Sequence, residues 1–203
     1  MYDYEAWVKC HPDDLWIFDK LILAKKLGYL CGPADVAVPE SNNYIVRPCV
    51  NLAGMGIGAE LRFLEKGRWD LEPGYFWCQE FKGRHLSVDY AIDPISRTIE
   101  QGETIEGFRS PANPIWKFDK WVRVNDKLKI NFMLTKLKGS YEHVNCEFIG
   151  GRLIEMHLRH NTEMGDYNEI IPVWEDELVS TTPPENYIYV EDKDYNRIGF
   201  FKR

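Results

Sequence analysis

Residues 147–161, EFIGGRLIEMHLRHN, hold two carboxylates, two histidines and two arginines on either side of a Gly-Gly pair. Read as strand, Gly150-Gly151 turn and strand, the stretch puts Glu155, His157 and Arg159 on one face and Ile154, Met156 and Leu158 on the other. A tight turn also brings Glu147 of the first strand toward that polar row, and two neighbouring carboxylates can hold Mg²⁺ against phosphate oxygens. A solvent-facing hairpin alternates in the same way, so the segments around it have to decide between the two.

Upstream, DDLWIFDKLILAKKLG (residues 13–28) spaces Leu15, Phe18, Leu21, Ile22 and Leu27 near the helical period, with Asp at its start and Gly28 at its end, which predicts one helix. YIVRPCVNL follows as a strand stopped by Pro48, and AELRFLEK as a second strand. Between these two runs lies NLAGMGIGAE, with Gly54, Gly56 and Gly58 at alternate positions. Such a loop lets backbone N–H groups approach phosphate oxygens, or it is a flexible hairpin turn. Its spacing is not that of the dinucleotide fingerprint, and it lacks the Gly-Lys-Ser/Thr ending of a P-loop.

Two extended runs, Tyr75–Phe81 and His85–Ile92, are broken by Lys82-Gly83, as in a hairpin or a crossover between lobes. Gln79-Glu80-Phe81 puts polar groups where the first run leaves the core. Residues 94–125 are polar and Pro-bearing, with one aromatic cluster, IWKFDKWVRV, and give no firm assignment. DKLKINFMLTKLKG (residues 126–139) predicts a helix, and the tail YIYVEDKDYNRIGFFKR a closing hairpin.

At 203 residues and 44% hydrophobic, the chain can bury one substantial core or two small lobes sharing a cleft. The net charge of −7 argues against a nucleic-acid backbone binder. Five cysteines, Cys10, Cys31, Cys49, Cys78 and Cys146, show no CxxC spacing and read as reduced, mostly buried thiols. There is no leader-like N-terminus and no apolar run of the roughly 18 residues a membrane span needs, so a cytoplasmic protein is expected.

The order of these pieces carries more than any one of them. A helix with Asp-Lys, a strand ending Arg-Pro, a glycine loop, Gln-Glu-Phe with Gly and Leu-Ser-Val, then strand, turn and Ile-Glu-x-His-x-Arg resembles the ATP-grasp superfamily over residues 18–160. The resemblance implies an α+β fold in which two small α+β lobes with antiparallel sheets, here about 1–81 and 82–203 of a single unit, enclose a nucleotide cleft. It implies ATP with Mg²⁺ or Mn²⁺ as cofactors and, as substrate, a carboxylate or peptide activated as an acyl phosphate and joined to an amine or other nucleophile.

Carried over residue by residue, Arg47 replaces the lysine of the family's Lys-Pro strand, Gly54, Gly56 and Gly58 form the phosphate-covering loop, and Gln79, Glu80 and Phe81 form the hinge that reads adenine. Glu147, Glu155 and His157 are the implied metal ligands, with His157 where the family has Asn. His85 stands where a ribose-binding glutamate is frequent. Arg159 is expected to stabilise charge on the transferring phosphoryl, and Lys20 to assist Arg47 at the phosphates. Family members usually carry an N-terminal domain that helps bind the carboxylate, whereas about seventeen residues precede the matching helix here, so the acceptor site is expected to be built otherwise or to be absent. The alternatives are a nucleotide-binding or structural pseudoenzyme on the same fold, a kinase using the same cleft, and a binding module built on WKFDKWVRV.

Overall fold

The computed structural model describes residues 3–52, 55–177 and 182–203. The predicted helix over 13–28 is two pieces. Pro12 opens a 3₁₀ helix, Pro12–Ile17, and the side chain of Asp19 then accepts a hydrogen bond from Ile22 N at 2.9 Å, capping a new helix α2 (Lys20–Lys26). The break follows from this second cap inside the apolar run. At the other end Gly28 adopts φ +73°, and the bonds Gly28 N to Lys25 O and Tyr29 N to Ala24 O, both 3.0 Å, close α2 as a Schellman motif. A further helix, α1 (Asp3–Lys9), precedes both.

Four antiparallel strands form a small sheet: β1 (Cys31–Pro33), β2 (Asn42–Pro48), β3 (Glu60–Leu64) and β4 (Tyr75–Gln79), in the order β1-β4-β2-β3. Tyr44, Val46 and Trp77 turn to one side of it and pack with Val38, Leu64 and Leu71. Phe76 and Cys78 turn to the other side, against Ala24 of α2.

The chain then crosses at Lys82-Gly83 into an eight-stranded antiparallel sheet, so this break is a crossover and not a hairpin. Its strands are β5 (His85–Ile92), β6 (Ile99–Phe108), β7 (Lys120–Arg123), β8 (His143–Ile149), β9 (Arg152–His157), β10 (Glu169–Trp174), β11 (Ile188–Asp194) and β12 (Arg197–Lys202), in the order β11-β12-β10-β7-β6-β5-β8-β9. The closing hairpin expected in the tail is β11 and β12. The expected α+β architecture with two antiparallel sheets is the one observed.

Strict alternation divides the central strands of the large sheet. Leu86, Val88 and Tyr90 of β5 and Val144, Cys146 and Phe148 of β8 point to a core shared with Ala6, Ile17, Phe18 and Leu23 of the N-terminal helices. His85, Ser87, Asn145 and Glu147 therefore point to the opposite face. Five free thiols match the sequence reading in state, but only Cys78 and Cys146 are buried; Cys10, Cys31 and Cys49 are half-buried.

One expectation fails on tertiary grounds, and one unassigned stretch is resolved. The stretch 126–139 is not a helix: it runs without regular structure to a single 3₁₀ turn, Leu134–Lys136. Its backbone is claimed by side chains from elsewhere, with Asp14 accepting from Lys138 N and Gly139 N, and Arg97 donating to Leu137 O and Gly139 O. The unassigned stretch 94–125 contains β6 and β7, two strands in the middle of the large sheet. Among the described residues no helix is long and apolar enough to cross a membrane.

Candidate functional site

A cavity of about 1050 Å³ lies between the small sheet and the polar face of the large one. Its roof includes Ile45 and Arg47 of β2 and Cys78 of β4; its floor includes Asn145, Glu147, Glu155 and His157. Gln79, Glu80 and Phe81 form one edge, where the chain passes between the sheets.

The β8–β9 hairpin is built as the sequence reading requires. Gly150 and Gly151 have φ of +55° and +76°, which a two-residue turn matched to strand twist demands. Gly150 is confined a second time: a Cβ there would collide with the carbonyl oxygen of Lys82, and one on Gly83 would lie 2.7 Å from Gly150 Cα. The crossover and the hairpin turn thus touch backbone to backbone. Glu147 and Glu155 are directly paired, and a bulge between Glu147 and Phe148 on the β8 side leaves Ile154 as the extra residue on β9. The bulge is why Ile154 does not share the core face with Met156 and Leu158, and its carbonyl accepts a hydrogen bond from Arg47 Nη2 at 2.9 Å.

Glu155 stands at the centre of the charges. Arg47 Nη1 lies 2.8 Å from its Oε1, and Lys20 Nζ 3.0 Å from its Oε2, with both cations themselves nearly buried. His157 Nε2 lies 3.4 Å from Glu155 Oε2 and 3.9 Å from Glu147 Oε1. The far side of the imidazole is held by Asp3, whose Oδ2 is 3.0 Å from His157 Nδ1 and whose Oδ1 accepts from Arg159 Nε at 2.6 Å. Glu147 gives its other oxygen to His85 Nε2 at 3.1 Å, and His85 is packed edge-on against Phe118 and Trp121.

These contacts set the protonation states. Burial opposes charge on His157, but Asp3 and the hydrogen bond to Glu155 outweigh it and raise the ring to about 9. Burial would lift Glu155, yet Lys20, His157 and Arg47 hold it well below the usual carboxylate range. Burial likewise acts upward on Glu147, and the His85 hydrogen bond brings it down against the repulsion of Glu155. Asp3 is held low by His157 and Arg159 in spite of its burial. Lys20, Arg47, His157 and Arg159 thus stand among Asp3, Glu147, Glu155 and Glu163, cations and carboxylates close to balance at this end of the cavity.

The sequence-predicted residues are placed as follows. Arg47, Gly56, Gln79, Glu80, Phe81, His85, Glu147, Glu155, His157 and Arg159 all line the cavity. Lys20 reaches Glu155 from a small neighbouring recess shared with Asp3, Asn51 and His157. Gly58, at φ +81°, lies against Pro48 and the hydroxyl of Tyr75 instead of the cavity, and Gly54 lies outside the described residues. At the loop's tip Gly56 rests on Trp116, and Met55 Sδ meets Arg197 of β12 at 3.7 Å. In the hinge, Gln79 is spent on structure: its N–H donates to Leu30 O at 2.9 Å and its side-chain oxygen accepts from Leu30 N at 2.8 Å. Glu80 and Phe81 make no backbone-to-backbone hydrogen bond among the described residues, while the Phe81 ring packs edge-on against Tyr29 at 4.6 Å.

Asp3 is the residue that sequence reasoning missed. In MYDYEAW it is one of two acids at the start of a short helix, and only the fold reveals that it lies against His157, 154 positions away. Ser87 and Asn145, hydrogen-bonded to each other on the cavity floor, were also not singled out.

The side chains of Glu147, Glu155 and His157 each offer one ligand atom, and the three atoms lie within 4.8 Å of one another. Ligands about 2.1 Å from a divalent ion stand roughly 3–4 Å apart. Two carboxylates and an imidazole therefore fit such an ion after a small contraction.

No protein-family model matches this chain, and no curated protein matches it in sequence. Solved structures do match. An Archaeoglobus fulgidus protein assigned to the ATP-grasp superfamily superposes with a TM-score of 0.52 at 15% identity, over 93% of this chain and 64% of that one. N5-carboxyaminoimidazole synthetase from Staphylococcus aureus, complexed with ADP, gives 0.55 at 12% identity over 93% of this chain and 67% of that one. N5-carboxyaminoimidazole synthase from Aspergillus clavatus, with ADP and 5-aminoimidazole ribonucleotide, gives 0.56 at 8% identity over 92% and 68%. The chain has the ATP-grasp fold and spans about two thirds of the length of these neighbours.

Proposed function

We propose that this chain is an ATP-dependent ligase that binds ATP with a divalent metal ion in the cavity and joins a carboxylate to an amine or other nucleophile through an acyl phosphate. The observation that carries the reading is the convergence of Arg47, Glu147, Glu155 and His157 at one end of a cavity whose other edge is the Glu80–Phe81 hinge.

In this reading lobes 1–81 and 82–203 enclose the nucleotide. The adenine lies at the hinge, where the backbone of Glu80 and Phe81 supplies hydrogen-bonding groups and Ile45 and Cys78 an apolar roof. The phosphates lie toward Arg47 and Lys20, whose charge Glu155 holds in place. Glu147, Glu155 and His157 would hold the metal ion, which supplies positive charge against the phosphate oxygens. Arg159, fixed by Asp3, stabilises negative charge on the phosphoryl group in flight. The substrate carboxylate oxygen bonds to the γ-phosphorus as the bond to ADP breaks. The amine then bonds to the acyl carbon, inorganic phosphate leaves, and the amine proton passes to solvent.

One observation favours a second reading, a nucleotide-binding protein without catalysis: Glu155 is already engaged by both Lys20 and Arg47. Calorimetric titration of ATP with Mg²⁺ or Mn²⁺ into wild type and Glu155→Ala tests the site, with affinity expected to fall at least about tenfold. Unchanged affinity for the metal–nucleotide complex would remove Glu155 from the metal. Release of ADP and phosphate only when a carboxylate and an amine are both supplied supports the ligase; tight ATP binding without any release supports the second reading.

A further inference from the structure

The His157–Asp3 pair says more about the metal than the two glutamates do. An ionised carboxylate only accepts hydrogen bonds, so Asp3 Oδ2, 3.0 Å from His157 Nδ1, keeps a proton on Nδ1, and a metal ion at Nε2 would displace the second proton that the ring carries without it. The other nitrogen, Nε2, is thereby aimed at Glu155 Oε2 and Glu147 Oε1. Each glutamate has one oxygen held from outside the cluster, Glu155 Oε1 by Arg47 and Glu147 Oε2 by His85, while the inward Glu155 Oε2 is shared with Lys20 Nζ at 3.0 Å, a contact that an entering ion would replace. Three donor atoms, one nitrogen and two oxygens, are thus turned inward by three neighbours, Asp3, Arg47 and His85, and Asp3 itself is only 4% exposed.

A carboxylate behind a histidine is the arrangement that orients an imidazole for a metal and raises its basicity. An imidazole donor suits first-row transition ions, whereas Mg²⁺ favours oxygen and near-ideal octahedral geometry. We propose that Glu147, Glu155 and His157 form a site selective for a divalent transition ion such as Mn²⁺ over Mg²⁺, with Asp3 as the positioning residue that directs His157 Nε2 at the ion. This rests on the nucleotide reading above for the ion's purpose, and on the geometry alone for its place.

The probe is Mn²⁺ alone, added to the full chain and counted by the loss of the free-ion electron paramagnetic resonance signal. One equivalent is expected to bind, with pulsed spectra showing coupling to an imidazole ¹⁴N, and Mg²⁺ is expected to compete at least about tenfold more weakly. Asp3→Asn is expected to weaken Mn²⁺ by roughly 10–100-fold. If that variant does not fold, His157→Asn, which supplies an oxygen donor, carries the test: the ¹⁴N coupling should vanish and the Mn²⁺-to-Mg²⁺ preference should level. Wild-type Mn²⁺ without ¹⁴N coupling, or Mg²⁺ bound as tightly as Mn²⁺, overturns the proposal. ATP titrated in parallel separates the two ideas. ATP binding together with Mn²⁺ that lacks nitrogen coupling sinks the metal assignment alone; nitrogen-coupled Mn²⁺ without any ATP binding sinks the nucleotide reading alone.

Discussion

Arg47 and Glu155 meet at 2.8 Å although they belong to different sheets, Arg47 to β2 of the small one and Glu155 to β9 of the large one. The pair, with the bond from Arg47 to the bulged carbonyl of Ile154, ties roof to floor at the charged end of the cavity.

Arg47→Met removes two buried donors at once. Breaking a buried ion pair from one side costs about 3–5 kcal/mol when the remaining charge has no partner. Lys20 still neutralises Glu155 here, so a loss of about 2–3 kcal/mol is expected in urea denaturation. Adding Lys20→Met should cost more than the sum of the two single changes, because only then is Glu155 stripped of both cations.

The pH profile of stability should have an alkaline limb belonging to His157. Its folded value, about 9, lies above the ordinary 6.5, so its contribution is full below about 6.5 and is lost as pH rises through about 9. The amount is on the order of 3 kcal/mol. Asp3 works in the opposite sense: it is held below its usual value, so its contribution is present above about 4 and is lost as pH falls through the folded value. Melting temperatures from pH 5 to 10 should decline on the alkaline side for wild type, with a clearly flatter limb for His157→Gln.

Asp14 is fully buried and accepts from Lys138 N, Gly139 N and the hydroxyl of Tyr141. Asp14→Ala orphans all three donors and is expected to cost about 3 kcal/mol or more. Amide exchange should show residues 138 and 139 losing protection first; retained protection there would contradict the assignment.

Gly150→Ala and Gly151→Ala should separate cleanly. Both residues have positive φ, worth about 1 kcal/mol against alanine, but only Gly150 lies against the Lys82 carbonyl, while nothing stands within 4 Å of a Cβ on Gly151. The Gly150 variant should lose at least about twice as much stability in chemical denaturation. On the proposed nucleotide reading it should also weaken ATP binding, since the displaced Lys82 backbone directly follows the Gln79–Phe81 hinge.

The parts of the fold legible in the sequence are those where one side of an element is dry. Alternation in β2, β5, β8 and β9 and the paired glycines at 150–151 show the hairpin and the face that bears Glu155, His157 and Arg159, but not the bulge that takes Ile154 off the core face. β6 was invisible because IEQGETIEGF carries little apolar pattern: Gln101 and Thr104 hydrogen-bond to each other, and both bond the Asp126 carbonyl in place of packing. The stretch 126–139 misled for the opposite reason, since its dense apolar residues serve a core with no helix to carry them. Asn131 accepts from Met133 N, a local bond that competes with helical pairing. In the site, alternation put Glu155, His157 and Arg159 on one face, and the order of the segments linked them to Arg47 and the hinge, but Asp3 was not legible, because its partners come from the other end of the chain.

Gly56 and Trp116 bring the glycine loop of the small sheet into contact with the large one: a Cβ on Gly56 would stand 3.4 Å from the indole's own Cβ, and that indole in turn packs edge-on against Trp174 and Tyr195. Gly56 and Trp116 both line the cavity, so a ligand seated between them would change the surroundings of that indole. The protein therefore carries its own optical gauge of whether the cavity is filled: the share of Trp116 among the seven tryptophans, read without a label as the difference in emission between wild type and Trp116→Phe.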